Sequence, residues 1–280
     1  MLERESRRFA RWLSPINMST IQNDNIAKLQ EGTGTSLLQT PEYQSWLHGE
    51  TKTILCVGEV GSGKTVLASQ VIDTLLQELG HKDNLVLYFF AEMPTQQARE
   101  PTPASILANF LKQLIHHNRN ISYQTGMSLE RYLMGGNRPT ADELLAYLGR
   151  EIVDTPKIFV VIDALDQLAH SCRQKVLGYL RQLQRNCTMS LMATSRPDST
   201  INEDFANAFP EHLQLEIRQT QEDIEAYMVG QMHRLPDVVM RNTDLQHYII
   251  NEIMSLSHGV YVWDRTRRCI TDMLRQVSCC

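Results

Sequence analysis

The chain has 280 residues, enough for one large domain or a core domain with a small appendage. Hydrophobic residues make up 42% and charged residues 21%, the balance of a globular protein, and 27 basic against 32 acidic residues leave a net charge of −5. That balance argues against a dedicated nucleic-acid surface, and no apolar run approaches the roughly 20 residues of a membrane span, so neither partner is expected.

Residues 1–40 read as a partly helical lead-in. Arg4, Arg7, Arg8 and Arg11 precede no apolar stretch of the signal-peptide kind, and Glu3 and Glu5 count against a cleaved presequence. A cytoplasmic location is expected, and the six cysteines, none in a C-x-x-C pair, read as reduced thiols. Glu31 to Thr35 has the composition of a turn. Strands are predicted over 53–58, 85–90, 158–162, 189–194 and 212–217, with helices over 64–80, 103–118, 140–152 and 171–186. The runs at 85–90 and 158–162 are nearly all apolar, as strands covered on both faces are. Alternating β and α predicts an α/β fold, a mostly parallel sheet flanked by helices over 41–218. After residue 220 the strand signal ends. Helices predicted over 220–234, 243–257 and 260–277 form a small helical subdomain, 219–280, with breaks at Leu235-Pro236-Asp237 and Ser257-His258-Gly259.

Three segments carry chemistry. The first is Gly58-Glu59-Val60-Gly61-Ser62-Gly63-Lys64-Thr65, followed by Val66; it fits G-x-x-x-x-G-K-[ST] between a strand and a helix. The glycines let the backbone turn tightly, and its N–H groups face an anion. The helix beginning near Lys64 adds the positive end of its dipole. The Lys64 ammonium is a point charge for β- and γ-phosphates, and the Thr65 hydroxyl is a hard oxygen ligand for Mg²⁺. The second segment is Ile158 to Asp166, an apolar strand ending in Asp163-Ala164-Leu165-Asp166. Asp163 would hold Mg²⁺ opposite Thr65, and Asp166 would orient or deprotonate an attacking water. The third is Met189 to Pro197, a strand ending in Thr194-Ser195-Arg196. There the permanently charged Arg196 guanidinium can sense a γ-phosphate or stabilise the transition state. The acidic strand comes 99 residues after Lys64. That spacing resembles the additional-strand class of P-loop ATPases, and no Asn-Lys-x-Asp guanine motif is present.

Together these segments resemble the NACHT family of STAND nucleotide triphosphatases, in the nephrocystin-3-like N-terminal form found in fungal NOD-like receptor proteins. The likeness extends to Trp12-Leu13-Ser14-Pro15, Gly32-Thr33-Gly34, Glu42-Tyr43-Gln44-Ser45-Trp46-Leu47 and Gly259-Val260-Tyr261-Val262-Trp263, and spans roughly residues 10–265. The resemblance implies a cytoplasmic switch that is closed with ADP and opened by exchange to ATP. It also implies homo-oligomerisation and protein partners reached through effector and repeat regions, in non-self recognition or programmed cell death. ATP/ADP with Mg²⁺ is the expected cofactor, with GTP left open because the base pocket has no short signature. Three departures stand out. Gln167 replaces the usual Glu, so any hydrolytic role falls to Asp166. Ser36 stands where Trp is frequent. The segment Asp264 to Arg268 breaks an apolar continuation. The chain reaches Cys280 without a winged-helix domain or repeats, as expected of a truncated product or a short member. A nucleotide-binding scaffold without turnover is the alternative reading.

Overall fold

The computed structural model describes residues 3–30, 34–78, 84–91, 100–118, 121–217, 221–231, 239 and 241–257. Five apolar segments make its sheet: β1 (Thr53–Val57), β2 (Leu85–Phe90), β3 (Ile158–Asp163), β4 (Met189–Ser195) and β5 (Leu213–Glu216). Their order is β2-β3-β4-β1-β5 and every pairing is parallel. β4 therefore stands between the strand of the glycine loop and the strand of Asp163, which is the additional strand inferred from the spacing. β1 to β4 are buried at every position, whereas β5, on the edge, is largely exposed. Parallel strands bring all their carboxyl ends to one side of the sheet, and ligands of open α/β sheets bind there.

The helices are α1 (Glu3–Leu13), α2 (Met18–Ile26), α3 (Thr35–Leu38), α4 (Pro41–His48), α5 (Lys64–Glu78), α6 (Pro103–Asn118), α7 (Tyr123–Gly135), α8 (Ala141–Glu151), α9 (His170–Asn186), α10 (Ser199–Ala208), α11 (Gln221–Gln231) and α12 (Thr243–Ser257). Local chemistry sets several ends. The Thr40 hydroxyl accepts the Tyr43 N–H, with Pro41 opening α4. Thr140 and Glu143 form a reciprocal capping box on α8. The Asp198 carboxylate accepts the Thr200 and Ile201 N–H groups and starts α10. Helices α4, α7 and α10 are absent from the sequence reading.

Residues 1–40 do more than lead in. Phe9, Ala10, Leu13 and Met18 are buried in the main core, α1 lies on α6, and α2 lies on α5. Trp46, on α4, is fully buried. Its Nε1 donates to the Leu191 carbonyl of β4 at 3.0 Å, and its ring meets Phe159 edge-on. The edge strand β2 is closed by a side chain. Gln113 of α6 accepts the Tyr88 N–H at 3.0 Å and donates to the Tyr88 carbonyl at 2.8 Å, as a neighbouring strand would.

Helices α11 and α12 pack on each other, and Met228, Val239, Ile249 and Ile250 are buried outside the main cluster. The helix expected over 260–277 and the Gly259–Trp263 motif lie outside the described residues.

Candidate nucleotide site

The glycine loop joins β1 to α5 at the carboxyl edge of the sheet. Its first residue is wedged between neighbouring strand ends: the Gly58 N–H donates to the Ser195 carbonyl, and the Ile217 N–H donates to the Val57 carbonyl. A Cβ at position 58 would lie 2.5 Å from Ser62 Oγ and 3.0 Å from the Ile217 carbonyl oxygen, so the backbone is packed as closely as glycine permits. Gly61 and Gly63 turn the loop at φ +80° and +83°, a region costly for other L-residues. Glu59, Val60 and Gly61 face solvent, Ser62 is buried, and Gly63, Lys64, Thr65 and Val66 are half-buried as α5 begins.

Lys64 folds over the loop. Its Nζ donates to the carbonyls of Gly58 and Glu59, both at 2.7 Å, and to Ser62 Oγ at 3.4 Å. Partial burial pulls the ammonium below its ordinary pKa; Asp166 and Asp163 act to raise it, and Arg196 lowers it further. Lysine, both acidic residues and the arginine therefore share one electrostatic neighbourhood, although they come from four separate elements.

Asp163 is 1% exposed at the end of β3. One of its oxygens accepts the Thr65 hydroxyl at 2.7 Å and the other accepts the Thr194 hydroxyl at 2.6 Å. Donation by Thr65 to Asp163 leaves the lone pairs of the Thr65 oxygen directed elsewhere. A hydroxyl and a carboxylate at hydrogen-bond distance suit Mg²⁺, which takes oxygen ligands and keeps several waters. The donor set fits that ion. Thr194 is a residue the sequence reading passed over. Besides donating to Asp163, its oxygen accepts the Ala164 N–H at 2.9 Å. Ala164 has φ +58°, the one left-handed non-glycine among the described residues. This strained turn lets the chain leave β3 and present Asp166 three residues on.

Asp166 and Arg196 meet. Asp166 Oδ1 accepts the Arg196 N–H at 3.2 Å and Oδ2 pairs with Arg196 Nε at 3.0 Å. Gln167 Nε2 donates to the same Oδ2 at 2.8 Å. The Asp166 side chain is 10% exposed and that of Arg196 47%. All the sequence-predicted site residues thus stand at one edge of the sheet, with Asp166 and Arg196 directly bonded to each other.

Conspicuous residues nearby have other partners. His170 Nε2 contacts Asp204 Oδ1, Cys172 Sγ donates to the Pro101 carbonyl, and Tyr88, Phe89 and Phe90 are sheet core.

Residues 32–196 match the sequence model of the family described as nephrocystin 3, N-terminal. That segment runs from the lead-in glycines to Arg196 and covers more than half of the chain. No curated protein matches the sequence. Solved structures with a similar chain course include Cdc6p from Pyrobaculum aerophilum, at 14% identity and TM-score 0.44 over 78% of this chain and 58% of that one. They also include domain III of the replication initiation protein DnaA from Thermotoga maritima, at 13% identity and TM-score 0.47 over 90% and 87%. A third is the Aeropyrum pernix ORC1 protein in complex with DNA, at 14% identity and TM-score 0.46 over 86% and 66%. The chain spans little more than half the length of the Pyrobaculum protein. The family match, the parallel sheet with its additional strand and the glycine loop agree: the chain belongs to the nephrocystin 3 N-terminal family and has the fold of a NACHT-like P-loop nucleoside triphosphatase.

Proposed function

We propose that this chain is a nucleotide-controlled switch of the STAND type, binding ATP and ADP with Mg²⁺ and hydrolysing ATP slowly. The observation that carries the reading is the convergence of Lys64, Thr65, Asp163, Asp166 and Arg196 on one edge of the sheet. The loop 58–66 would cradle the phosphates with its N–H groups, and Lys64 would exchange its two loop carbonyls for phosphate oxygens. Thr65 and Asp163 would hold Mg²⁺, which supplies charge neutralisation at the phosphates when bound. Arg196, half exposed, would reach the γ-phosphate, and Asp166 would take the proton of the attacking water. A γ-phosphate is a charge-rich ligand that biases whichever arrangement meets it best. The helical segment α11–α12 is the proposed responder. Gly34 in the lead-in donates its N–H to Asp223 of α11 at 2.9 Å, so the lead-in and this segment are already joined. Signalling in the manner of fungal NOD-like proteins, homo-oligomerisation and protein partners outside this chain belong to the same proposal.

A second reading has its own support. Asp166 accepts three hydrogen bonds from Arg196 and Gln167, which oppose its use as a base. On that reading the chain binds nucleotide as a scaffold without meaningful turnover.

Titration with fluorescent ADP, ATP and GTP analogues in Mg²⁺ tests the core of the proposal, with Lys64→Ala beside the wild type. Micromolar binding that Lys64→Ala abolishes is expected. A folded wild-type protein that binds none of the three would overturn the switch. Phosphate release then separates the two readings.

A further inference from the structure

Arg173 lies one turn into α9 and is 5% exposed. An arginine in a helix interior ordinarily reaches solvent, and burying its charge is costly unless it is paired and fully bonded. Here it is paired. Nε donates to Asp204 Oδ2 at 2.8 Å, and a terminal nitrogen reaches the same oxygen at 2.8 Å. Asp204, on α10, is itself buried and also accepts from Gln174 Nε2 at 2.9 Å. Two further contacts give the guanidinium its place in the site. NH1 donates to the Leu168 carbonyl, at the end of the single 3₁₀ turn that carries Asp166. NH2 lies 3.5 Å from the Thr200 hydroxyl, which donates to Asp198 Oδ1 at 2.6 Å. Asp198 caps α10 two residues after Arg196. One buried fork therefore bonds to the chain just after Asp166 and to α10, and reaches the turn just after Arg196 through the Thr200 hydroxyl on Asp198.

We propose that Arg173, with Asp204, is the positioning residue that sets Arg196 against Asp166 and links the position of the Arg196 side chain to α10. Short connections carry these two groups: the one after β3 is half-buried, and the one after β4 is exposed. The planar fork of Arg173 fixes the distance between them, and no lysine presents that geometry. When a terminal phosphate draws Arg196 away from Asp166, the turn at 196–198 moves against a fixed point, so the displacement passes into α10. The inference rests on the reading of Arg196 as the γ-phosphate sensor.

The test compares the affinities of the purified chain for fluorescent ATP and ADP analogues with Mg²⁺. The variants are Arg196→Ala, Arg173→Lys, Thr200→Val and the paired replacement Arg173→Met with Asp204→Leu, which leaves no lone buried charge. Arg196→Ala is expected to erase the preference for ATP over ADP. Arg173→Lys and the paired replacement are expected to reduce that preference about fivefold or more, the scale of a coupling between sites, with ADP affinity held and the proteins folded at the assay temperature. Thr200→Val is expected to act in the same direction with a smaller change. Combining Arg173→Lys with Arg196→Ala should add nothing to Arg196→Ala alone. If Arg196→Ala abolishes the preference while folded Arg173→Lys and Thr200→Val keep it, the positioning role is overturned and the sensor reading stands. If Arg196→Ala keeps the preference, the sensor reading fails and this inference falls with it. Thr200 is exposed and Arg173→Lys retains the charge beside Asp204, so folded protein is expected for both.

Discussion

Asp166 and Arg196 are bonded twice, through the Arg196 backbone N–H and through its Nε, and Gln167 adds a third bond to the same carboxylate. The base and the sensor proposed for this site occupy each other. The arginine side chain is 47% exposed, so the pair contributes little stability, about 0–1 kcal/mol for surface pairs in general. A triphosphate carries several charges at close range and competes readily with one carboxylate for the half-exposed guanidinium. Arrival of the γ-phosphate would thus free Asp166 at the moment a base is needed.

This arrangement predicts the outcome for Asp166→Asn. Phosphate release should fall by about 10²- to 10⁴-fold, the share usual for a general base, while binding of ADP stays within a factor of about two. Single-turnover release of phosphate from ATP is the measurement. Equal rates for wild type and variant would move Asp166 from base to anchor for Arg196.

Asp163 makes a separate prediction. Its two oxygens accept from Thr65 and Thr194, so Asp163→Asn would replace one charged acceptor by an amide NH2 and turn that threonine hydroxyl from donor to acceptor. ADP binding with Mg²⁺ should weaken toward the value seen in excess chelator, and the gain that Mg²⁺ gives the wild type should be lost. Thr65→Val should do the same without touching Thr194. An undiminished Mg²⁺ effect in both variants would remove this pair from the metal site.

Little of this second layer was legible in the sequence. The glycine loop and the apolar strand ending in Asp163 are local patterns, and each announced its own chemistry. Thr194 did not, because its role comes from the pairing of β3 with β4, which brings residues 163 and 194 together. Helix α7 escaped notice for a packing reason. Thr125 and Gly126 share its buried face with Leu129 and Leu133, while Tyr123, Met127 and Met134 are exposed, so its apolar residues do not trace the core-facing stripe. Helix α10 did carry a signal, Asp198 as cap followed by Ile201 and Phe205 one turn apart, but it follows the Arg196 turn directly and is only ten residues long. No local pattern marks Arg173 and Asp204, and tertiary structure alone shows them buried and paired.

Acid should expose that buried pair. Burial acts to raise the Asp204 carboxyl, but the bonds from Gln174, Arg173 and His170 outweigh it and hold it below the usual carboxylate range. A group with a depressed folded-state pKa contributes stability above its unfolded value, and the contribution is lost as pH falls through the folded value. Tm followed from pH 7 to about pH 3 should therefore drop more steeply for wild type than for Arg173→Met with Asp204→Leu. Parallel curves would exclude a linked proton at this site.

Trp46 offers a test of α4. Truncation to Ala should cost about 3–5 kcal/mol, as for large buried aromatics. Trp46→Phe keeps most of the packing but removes the indole donor to the Leu191 carbonyl, at a cost of about 1 kcal/mol. Urea unfolding with an unchanged m-value would measure both. Losses below about 0.5 kcal/mol would show that α4 is an accessory rather than part of the core.

Gln113 bears on how copies of this chain can meet. By taking both backbone groups of Tyr88 it occupies the outer rim of β2, where an incoming strand from another molecule would otherwise dock. Fibre-like growth by strand addition is blocked at that rim, and the other border, β5, is four residues long. A multimer of this protein would be cemented by helix faces and loops rather than by its sheet.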